Sequence, residues 1–126
     1  MRKVLSAAGR VPGVIGTVNY RWRDTVLVAP NTTPESRDLQ EIFYLMKEDG
    51  VDTVVMEVSS HALALHRADD IAFDSAVFTN LTRDHMDFHR DFEDYYGAKK
   101  RLFQLLEGGF KKNVAGFVNL DDEYGR

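Results

Sequence analysis

Several common features are absent from this sequence of 126 residues. It contains no cysteine, which excludes disulfides and thiolate metal sites and fits a reducing cytoplasm. The short apolar stretch from Val4 to Ala8 is ended by Arg10 and is too short for a signal sequence or a membrane span. We therefore expect a cytoplasmic protein with no membrane partner.

A surplus of positive charge is also missing. The sequence contains 16 lysines and arginines and 20 aspartates and glutamates, which gives a net charge of -4. This balance argues against nucleic acid or an anionic membrane as a partner and favours a small molecule. The phosphate-loop pattern GxxxxGK[ST] does not occur, because Gly9, Gly13 and Gly16 lack the lysine. The nucleotide-cradling part of an ATPase is therefore not in this chain.

Strand-like and helix-like segments alternate along the chain, which predicts an α/β fold with a mainly parallel sheet flanked by helices. With 44% hydrophobic residues, the chain can form one domain or part of one. Apolar runs predict strands at residues 14–18, 25–28, 54–58, 73–79 and 114–120. The first two, joined through polar residues 19–24, predict a hairpin or meander.

Four helices are expected from apolar periodicity and end signals. The second has the stripe Leu39, Ile42, Phe43 and Met46, starts at a threonine cap before Pro34, and stops at Gly50. The others are predicted at residues 1–8, ended by Gly9; at 60–65, capped by Ser60; and from Phe92 to Gly108-Gly109.

Glu57 lies inside a valine-rich run that is typical of a strand covered on both faces. An unpaired carboxylate there would cost several kcal/mol, so we expect a cation beside it. Polar clusters follow three predicted strands, at residues 57–61, 80–85 and 119–122. Carboxyl ends of parallel strands share one sheet edge, so we expect these clusters to converge on a ligand site.

The carboxylate of Glu57 and the imidazole of His85 could together bind Mg²⁺ or Mn²⁺. The alternative is a buried salt bridge to an arginine or lysine. His85 and His89 have the spacing of a zinc-protease pair, but Met86 stands where that motif needs glutamate, so we exclude it.

Lys99 falls within the apolar stripe of the last predicted helix. It could extend from the helix edge into solvent. Alternatively, burial would favour its neutral amine, which could act as a nucleophile or take up CO₂ as a carbamate. Arg67 could be surface charge or could bind a substrate carboxylate or phosphate, and His61 and His66 are expected to be solvated or satisfied histidines.

Five separated motifs occur in an order that resembles the Mur ligases, and most of all the branch that adds the third peptide residue of peptidoglycan. They are residues 31–35 (NTTPE), 57–63 (EVSSHAL), 77–89 (VFTNLTRDHMDFH), 95–103 (YYGAKKRLF) and 119–122 (NLDD). The resemblance covers nearly the whole chain. It implies the central ATP-binding domain of that family, with the phosphate loop missing.

The resemblance also implies roles for individual residues. Glu57, His85 and a carbamylated Lys99 would be the catalytic and Mg²⁺-binding groups. Residues implied to bind the UDP-MurNAc-dipeptide are Thr32, Thr33, Ser59 and Arg67. Asn119 and Asp121 would approach the base and ribose of ATP, and a substrate contact is not expected at Leu65, where some members have glutamine.

The implied reaction is ATP-dependent amide formation by a monomer. ATP would phosphorylate the terminal carboxylate of UDP-MurNAc-L-Ala-D-Glu, and the amine of meso-diaminopimelate or L-lysine would attack the acyl phosphate. Mg²⁺ would stabilise the charge on the transferred phosphoryl group.

The N-terminal UDP-binding domain, the phosphate loop and the C-terminal amino-acid-binding domain of that family have no counterpart here. We therefore expect an interior piece of the central domain that is inactive alone. Two alternatives stay open: a ligase like folylpolyglutamate synthetase, and a non-catalytic binding or scaffold remnant. The segment Thr32-Thr33-Pro34 together with Ser59-Ser60-His61 favours the Mur branch.

Overall fold

The computed structural model describes residues 1–81 and 88–126 of the chain, in two compact units, Met1–Ala62 and Leu63–Arg126. The first unit contains α1 (Arg2–Ala7), β1 (Pro12–Ile15), β2 (Asn19–Trp22), β3 (Thr25–Val28), α2 (Ser36–Glu48), β4 (Thr53–Met56) and the start of α3 (Ser60–Ala64). The second contains β5 (Ser75–Phe78), α4 (Phe92–Gly108), β6 (Ala115–Val118) and a short 3₁₀ turn, Glu123–Gly125.

The sheet of the first unit has the strand order β3-β2-β1-β4. β1 and β4 are parallel, with Ile15 opposite Met56, and α2 lies between them in the sequence as the crossover that parallel strands need. β1, β2 and β3 are joined antiparallel, so of the predicted alternatives, a hairpin or a meander, the meander is the one observed. The α/β class is therefore confirmed, with a mixed sheet in this unit.

The middle strand of the meander, β2, was not predicted, because residues 19–24 read as a polar connection. Tyr20 and Trp22 are buried while Arg21 between them is exposed, so the segment has the period of two that a half-buried strand requires. The indole Nε1–H of Trp22 donates to Oδ2 of Asp49 at 2.6 Å and satisfies the one polar atom of that ring.

Helix α2 packs its predicted apolar stripe on this sheet. Leu39, Ile42 and Met46 are buried, and the Met46 sulfur approaches β1 so closely that a Cβ on Gly13 would lie 2.6 Å from it. The predicted threonine cap is wrong: the helix starts at Ser36 after Glu35, and no side chain caps it. Its end is as predicted, since Gly50 takes a φ of 75° there.

In the second unit, β5 and β6 pair in parallel from Ser75 opposite Ala115 to Phe78 opposite Val118, and α4 is the crossover between them. Asp91 caps α4 by accepting from the Asp94 N–H at 2.8 Å. A Cβ on Gly116 would lie 3.2 Å from the Phe103 ring, so the helix lies close to β6.

Two predicted burial patterns are wrong. β4 was expected to be covered on both faces, yet Val54 is exposed and the rest of the strand is half-buried. In β5, which was also predicted to be buried, only Ala76 is fully buried. In the sheets formed by the described residues, β4 is an edge strand paired only with β1, and β5 belongs to a sheet of two strands, so neither has a strand on both sides. Among the described helices, none has the length and apolarity needed to cross a bilayer.

Candidate functional site

Glu57 is the first residue after β4, and its backbone N–H donates to the Ile15 carbonyl at 2.9 Å. Its side chain is exposed, so the expectation of a buried carboxylate is wrong. In the described sheet β4 lies at the edge and pairs only with β1, so no further strand of that sheet covers the residue that follows it. Desolvation therefore does not demand a cation here, although the carboxylate is accessible to one.

The described partners of the Glu57 carboxylate are two donors of Thr17 rather than a cation. The Thr17 N–H and the Thr17 hydroxyl donate to Oε2 at 2.9 and 2.7 Å. Gly16 lies against the same group, and a Cβ there would be 3.0 Å from the carboxylate carbon. Because both bonds end on Oε2, Oε1 is the oxygen that can face a ligand.

Thr33 supports the backbone beside Glu57. Its hydroxyl donates to the Glu57 carbonyl at 2.9 Å and accepts from the Ser59 N–H at 3.0 Å, and the residue is 1% exposed. This role explains why Thr33 does not cap α2. Because the Thr33 side chain is buried, only the backbone of Thr33 could contact a substrate.

Ser59 and Thr32 complete this cluster. The Ser59 hydroxyl oxygen accepts from the Ala62 N–H at 3.1 Å, so Ser59, and not the predicted Ser60, caps α3. The half-buried Thr32 places its hydroxyl 3.1 Å from that of Thr17. Hydrogen bonds through Thr17 and Thr33 therefore bring Thr32, Glu57 and Ser59 together, and their role as a shared site stays a prediction.

Thr17 was missed by sequence reasoning, although it joins this cluster. It follows β1 by two residues, and β1 is the parallel neighbour of β4. The rule that ligand sites form at the carboxyl ends of parallel strands applied to β1 as much as to β4. The missing information was the pairing of those two strands, which no local pattern contains.

The Glu57 site fits Mg²⁺ through one carboxylate oxygen. In the described parts of the chain, no three histidine, aspartate or glutamate side chains are grouped to hold a metal ion. Mg²⁺ commonly keeps several waters and takes one or two protein carboxylates together with phosphate oxygens, so a single accessible oxygen matches its needs. His85, the predicted partner, lies outside the described residues.

Lys99 is half-buried on α4, which agrees with its place in the apolar stripe. Its Nζ lies 5.3 Å from the centroid of the Tyr95 ring, and Tyr95 is buried. This distance allows a cation–π contact with the charged amine. Carbamylation of Lys99 stays a prediction.

Arg67 lies half-buried in the loop between α3 and β5, close in sequence to His66 and Asp69, which both contact Arg101. The Arg101 guanidinium contacts Asp69 Oδ2 at 2.6 Å, and the His66 imidazole Nδ1 lies 2.8 Å from the same oxygen. Partial burial tends to raise the pKa of Asp69, but the hydrogen bonds from His66 and Arg101 outweigh it and lower the pKa. His66 thus has a side-chain partner in Asp69, in agreement with the prediction of a satisfied or solvated histidine.

Asn119 links the ends of β5 and β6. Its amide Nδ2 donates to the Thr79 carbonyl at 2.8 Å, and its Oδ1 accepts from the Asp121 N–H at 3.0 Å. Asp122 accepts from the Leu81 N–H at 3.0 Å. Residues from two of the three predicted polar clusters are therefore adjacent, and the side chains of Asn119 and Asp121 are both exposed.

A family model described as the Mur ligase middle domain matches residues 1–126. A UDP-N-acetylmuramoyl-L-alanyl-D-glutamate--2,6-diaminopimelate ligase of Geobacter sulfurreducens is 50% identical over 124 residues, which are 97% of this chain and 24% of that protein. The same-named ligase of Streptomyces avermitilis is 52% identical over 117 residues, 93% of this chain and 22% of the relative.

A solved structure of a ligase with that name superimposes with a TM-score of 0.81 at 30% identity. The match covers 98% of this chain and 24% of the solved one. The chain thus spans about a quarter of the length of these relatives.

Proposed function

Since this chain belongs to the Mur ligase family, whose middle domain it matches over residues 1–126, we propose that it supplies the middle-domain site of an ATP-dependent ligase. That ligase joins 2,6-diaminopimelate to UDP-MurNAc-L-Ala-D-Glu. The single observation that carries the proposal is the cluster after β4. There the Thr17 hydroxyl links the Glu57 carboxylate to the hydroxyl of Thr32, and the Thr33 hydroxyl links Glu57 to Ser59, so a cation and a polar substrate can be held together.

The reaction makes one amide bond at the expense of one ATP. The terminal carboxylate of the dipeptide takes the γ-phosphoryl group of ATP, which gives an acyl phosphate and ADP. The amine of diaminopimelate then attacks the acyl carbon, inorganic phosphate leaves, and the amine loses a proton. The names of the relatives support diaminopimelate as the amine donor.

We propose for the residues of this chain the roles that the resemblance to the Mur ligases implies. Glu57 would offer Oε1 to Mg²⁺, with His85 and carbamylated Lys99 as further ligands. When bound, Mg²⁺ neutralises charge on the phosphoryl oxygens. Thr32, Ser59 and Arg67 would hold the dipeptide substrate, and Asp121 would approach the nucleotide.

The chain alone is expected to be inactive, because its sequence lacks the GxxxxGK[ST] loop that would hold the ATP phosphates. A full-length setting is therefore needed for the test. We define the carrier ligase as the Geobacter sulfurreducens relative in which this chain replaces the aligned residues. It should form the tripeptide product and ADP only when UDP-MurNAc-L-Ala-D-Glu, diaminopimelate, ATP and Mg²⁺ are all present.

The charge of Glu57 provides the sharper comparison. Glu57→Gln removes the negative charge at nearly constant volume and should lower kcat of the carrier ligase by at least about 100-fold. Glu41→Gln, on the exposed face of α2, is the matched control and should leave kcat unchanged. Glutamate addition to a folate would support the folylpolyglutamate alternative, and a folded carrier without turnover would support a scaffold.

A further inference from the structure

Thr17 joins the Glu57 carboxylate to Thr32, and the sequence motifs gave it no role. Resting on the function proposed above, we propose that Thr17 is a positioning residue that fixes the direction of hydrogen bonding at Thr32. Thr32 then presents only acceptor lone pairs to the substrate, and the group it selects is an amide N–H.

The fold brings Thr17 and Glu57 together through the pairing of β1 and β4. β1 and β4 are parallel and in register, with Ile15 opposite Met56, so the residues after both strands leave the sheet at the same edge. Thr17 and Glu57 therefore meet although 40 residues separate them. Gly16 makes the approach possible, because any side chain there would begin 3.0 Å from the Glu57 carboxylate carbon.

The number of hydrogens on the two threonine hydroxyls fixes the direction of the hydrogen bond between them. A threonine hydroxyl has one hydrogen to donate and two lone pairs that accept. An ionised carboxylate only accepts, so at 2.7 Å the Thr17 hydrogen must point to Glu57 Oε2. The hydroxyls of Thr17 and Thr32 are 3.1 Å apart, and Thr17 has no second hydrogen to give. Thr32 is therefore the donor to Thr17.

The direction of this hydrogen bond limits which substrate group Thr32 can bind. With its hydrogen engaged, the half-buried Thr32 can only accept from a ligand. A phosphate or carboxylate oxygen opposite it would be unfavourable, because two acceptors would then face each other. A sugar hydroxyl can rotate to donate or accept and gains little from a fixed partner. An amide N–H is a fixed donor, so it is the group that this arrangement selects.

The same contacts orient the metal-binding oxygen. Two Thr17 donors hold Oε2, and the Thr33 hydroxyl holds the Glu57 carbonyl. Glu57 is thus held at its backbone carbonyl and at its carboxylate, which fixes where Oε1 points. Loss of the Thr17 hydroxyl leaves the hydrogen bond from the Thr17 backbone N–H to Glu57 in place, so the carboxylate stays near its position. The Thr32 hydroxyl, however, loses its acceptor and becomes free to donate to a ligand.

The test compares three variants of the carrier ligase. Thr17→Val removes the hydroxyl and keeps the branched shape, and it should raise KM for UDP-MurNAc-L-Ala-D-Glu about 10-fold with a smaller change in kcat. Thr17→Ser keeps the hydroxyl and should restore KM to within about twofold. Thr53→Val removes a hydroxyl at the opposite end of β4, where it accepts from Arg10, and should leave KM unchanged.

The direction of the hydrogen bond is tested with ester analogues of the substrate. The UDP-muramoyl dipeptide has three amide N–H groups: the acetamido group, the lactyl–alanine link and the alanine–glutamate link. Replacing the correct N–H by an ester oxygen should weaken binding about 10-fold in calorimetry. In Thr17→Val that difference should shrink, because Thr32 is then free to donate to the ester.

The outcomes separate this inference from the function on which it rests. If the carrier ligase turns over but all three esters bind like the parent, or if Thr17→Val behaves like Thr53→Val, the role of Thr17 is wrong and the function stands. If the carrier ligase has no turnover, the function fails. The Thr17–Glu57 bond is then judged by amide exchange at Thr17: faster exchange in Glu57→Ala supports it, and unchanged exchange refutes it.

Discussion

Nη2 of Arg101 lies 2.6 Å from Oδ2 of Asp69, and this ion pair joins the loop that carries Arg67 to the helix that carries Lys99. The sequence singled out Arg67 and Lys99 but neither member of the pair. Both side chains of the pair are about one-third exposed, so solvent screens the interaction in part. Its main effect is to order the loop around Arg67 relative to α4.

Removal of the Arg101 charge should loosen that loop. Arg101→Met keeps most of the apolar stem, and we expect it to lower the free energy of unfolding by about 1 kcal/mol and to speed amide exchange in residues 65–70. The control is Arg90→Met, since Arg90 is 85% exposed and contacts Asp94 at 3.4 Å. Equal exchange in the two variants would contradict a positioning role for the pair.

Acid should weaken the same contact. The pKa of Asp69 is lowered in the folded protein, so the unfolded chain binds more protons in the titration range. The stabilisation by Asp69 is therefore present above the unfolded pKa, near 3.8, and is lost as the pH falls through the folded value. Urea unfolding between about pH 5 and pH 2 should show a shallower loss of stability in Asp69→Asn than in the parent.

The pKa values of two other carboxylates are also lowered in the folded protein, so their titration adds to the loss of stability in acid. The side chain of Thr53 lowers the pKa of Asp52 by a hydrogen bond, and the backbone N–H of Arg90 lowers that of Asp94. Asp69→Asn should thus remove only part of the acid sensitivity. A curve parallel to that of the parent would show that the Asp69 contacts do not persist in solution.

Any side chain at Gly16 should displace the Glu57 carboxylate from its position beside Thr17. In Gly16→Ala the new Cβ would lie 3.0–3.2 Å from three atoms of the Glu57 carboxyl group, which must then move away from Thr17. We expect the Mg²⁺ concentration for half-maximal activity of the carrier ligase to rise about 10-fold or more. Gly97→Ala is the control, since no atom lies within 4 Å of its Cβ position on α4.

Gly97→Ala should also raise stability, by about 0.5–1 kcal/mol, because alanine loses less backbone entropy in a helix. Thermal unfolding of both glycine variants therefore separates a general packing effect from a local effect at Glu57. A Gly16→Ala variant that binds Mg²⁺ like the parent would refute the close approach.

Thr33 should matter more to stability than its size suggests. Thr33→Val leaves the Ser59 N–H and the Glu57 carbonyl without their hydroxyl partner at a site that is 1% exposed. The expected cost is about 1–3 kcal/mol in urea unfolding, and Thr33→Ser should recover most of it. A Thr33→Val variant as stable as the parent would show that water replaces the hydroxyl.

Local sequence patterns predicted much of the framework. The stripe of Leu39, Ile42 and Met46 gave α2 its buried face, and Gly50 ended it. The strand-like runs gave β3, β5 and β6, and the polar residues after β5 and β6 were correctly expected to meet. These features depend on neighbours within a few residues, so periodicity and end signals contain them.

The failures all concern exposure or hydrogen bonds between distant segments. Glu57 was predicted to be buried because valines surround it, but its burial depends on whether a second strand pairs with β4 on the side away from β1, and none does in the described sheet. Thr33 read as a cap because a threonine hydroxyl at that position usually serves the helix. It bonds instead to Glu57 and Ser59, 24 and 26 residues away.

The sequence by itself thus determined the α/β class, the order of the helices and of all strands except β2, and the selection of Glu57, Thr32 and Ser59 as candidate site residues. Only the tertiary structure decided that Glu57 faces solvent and that Thr17 is its partner. The physical reason is that the parallel register of β1 and β4 places Thr17 beside Glu57 across 40 residues of chain, and register is a property of two paired strands rather than of either one alone.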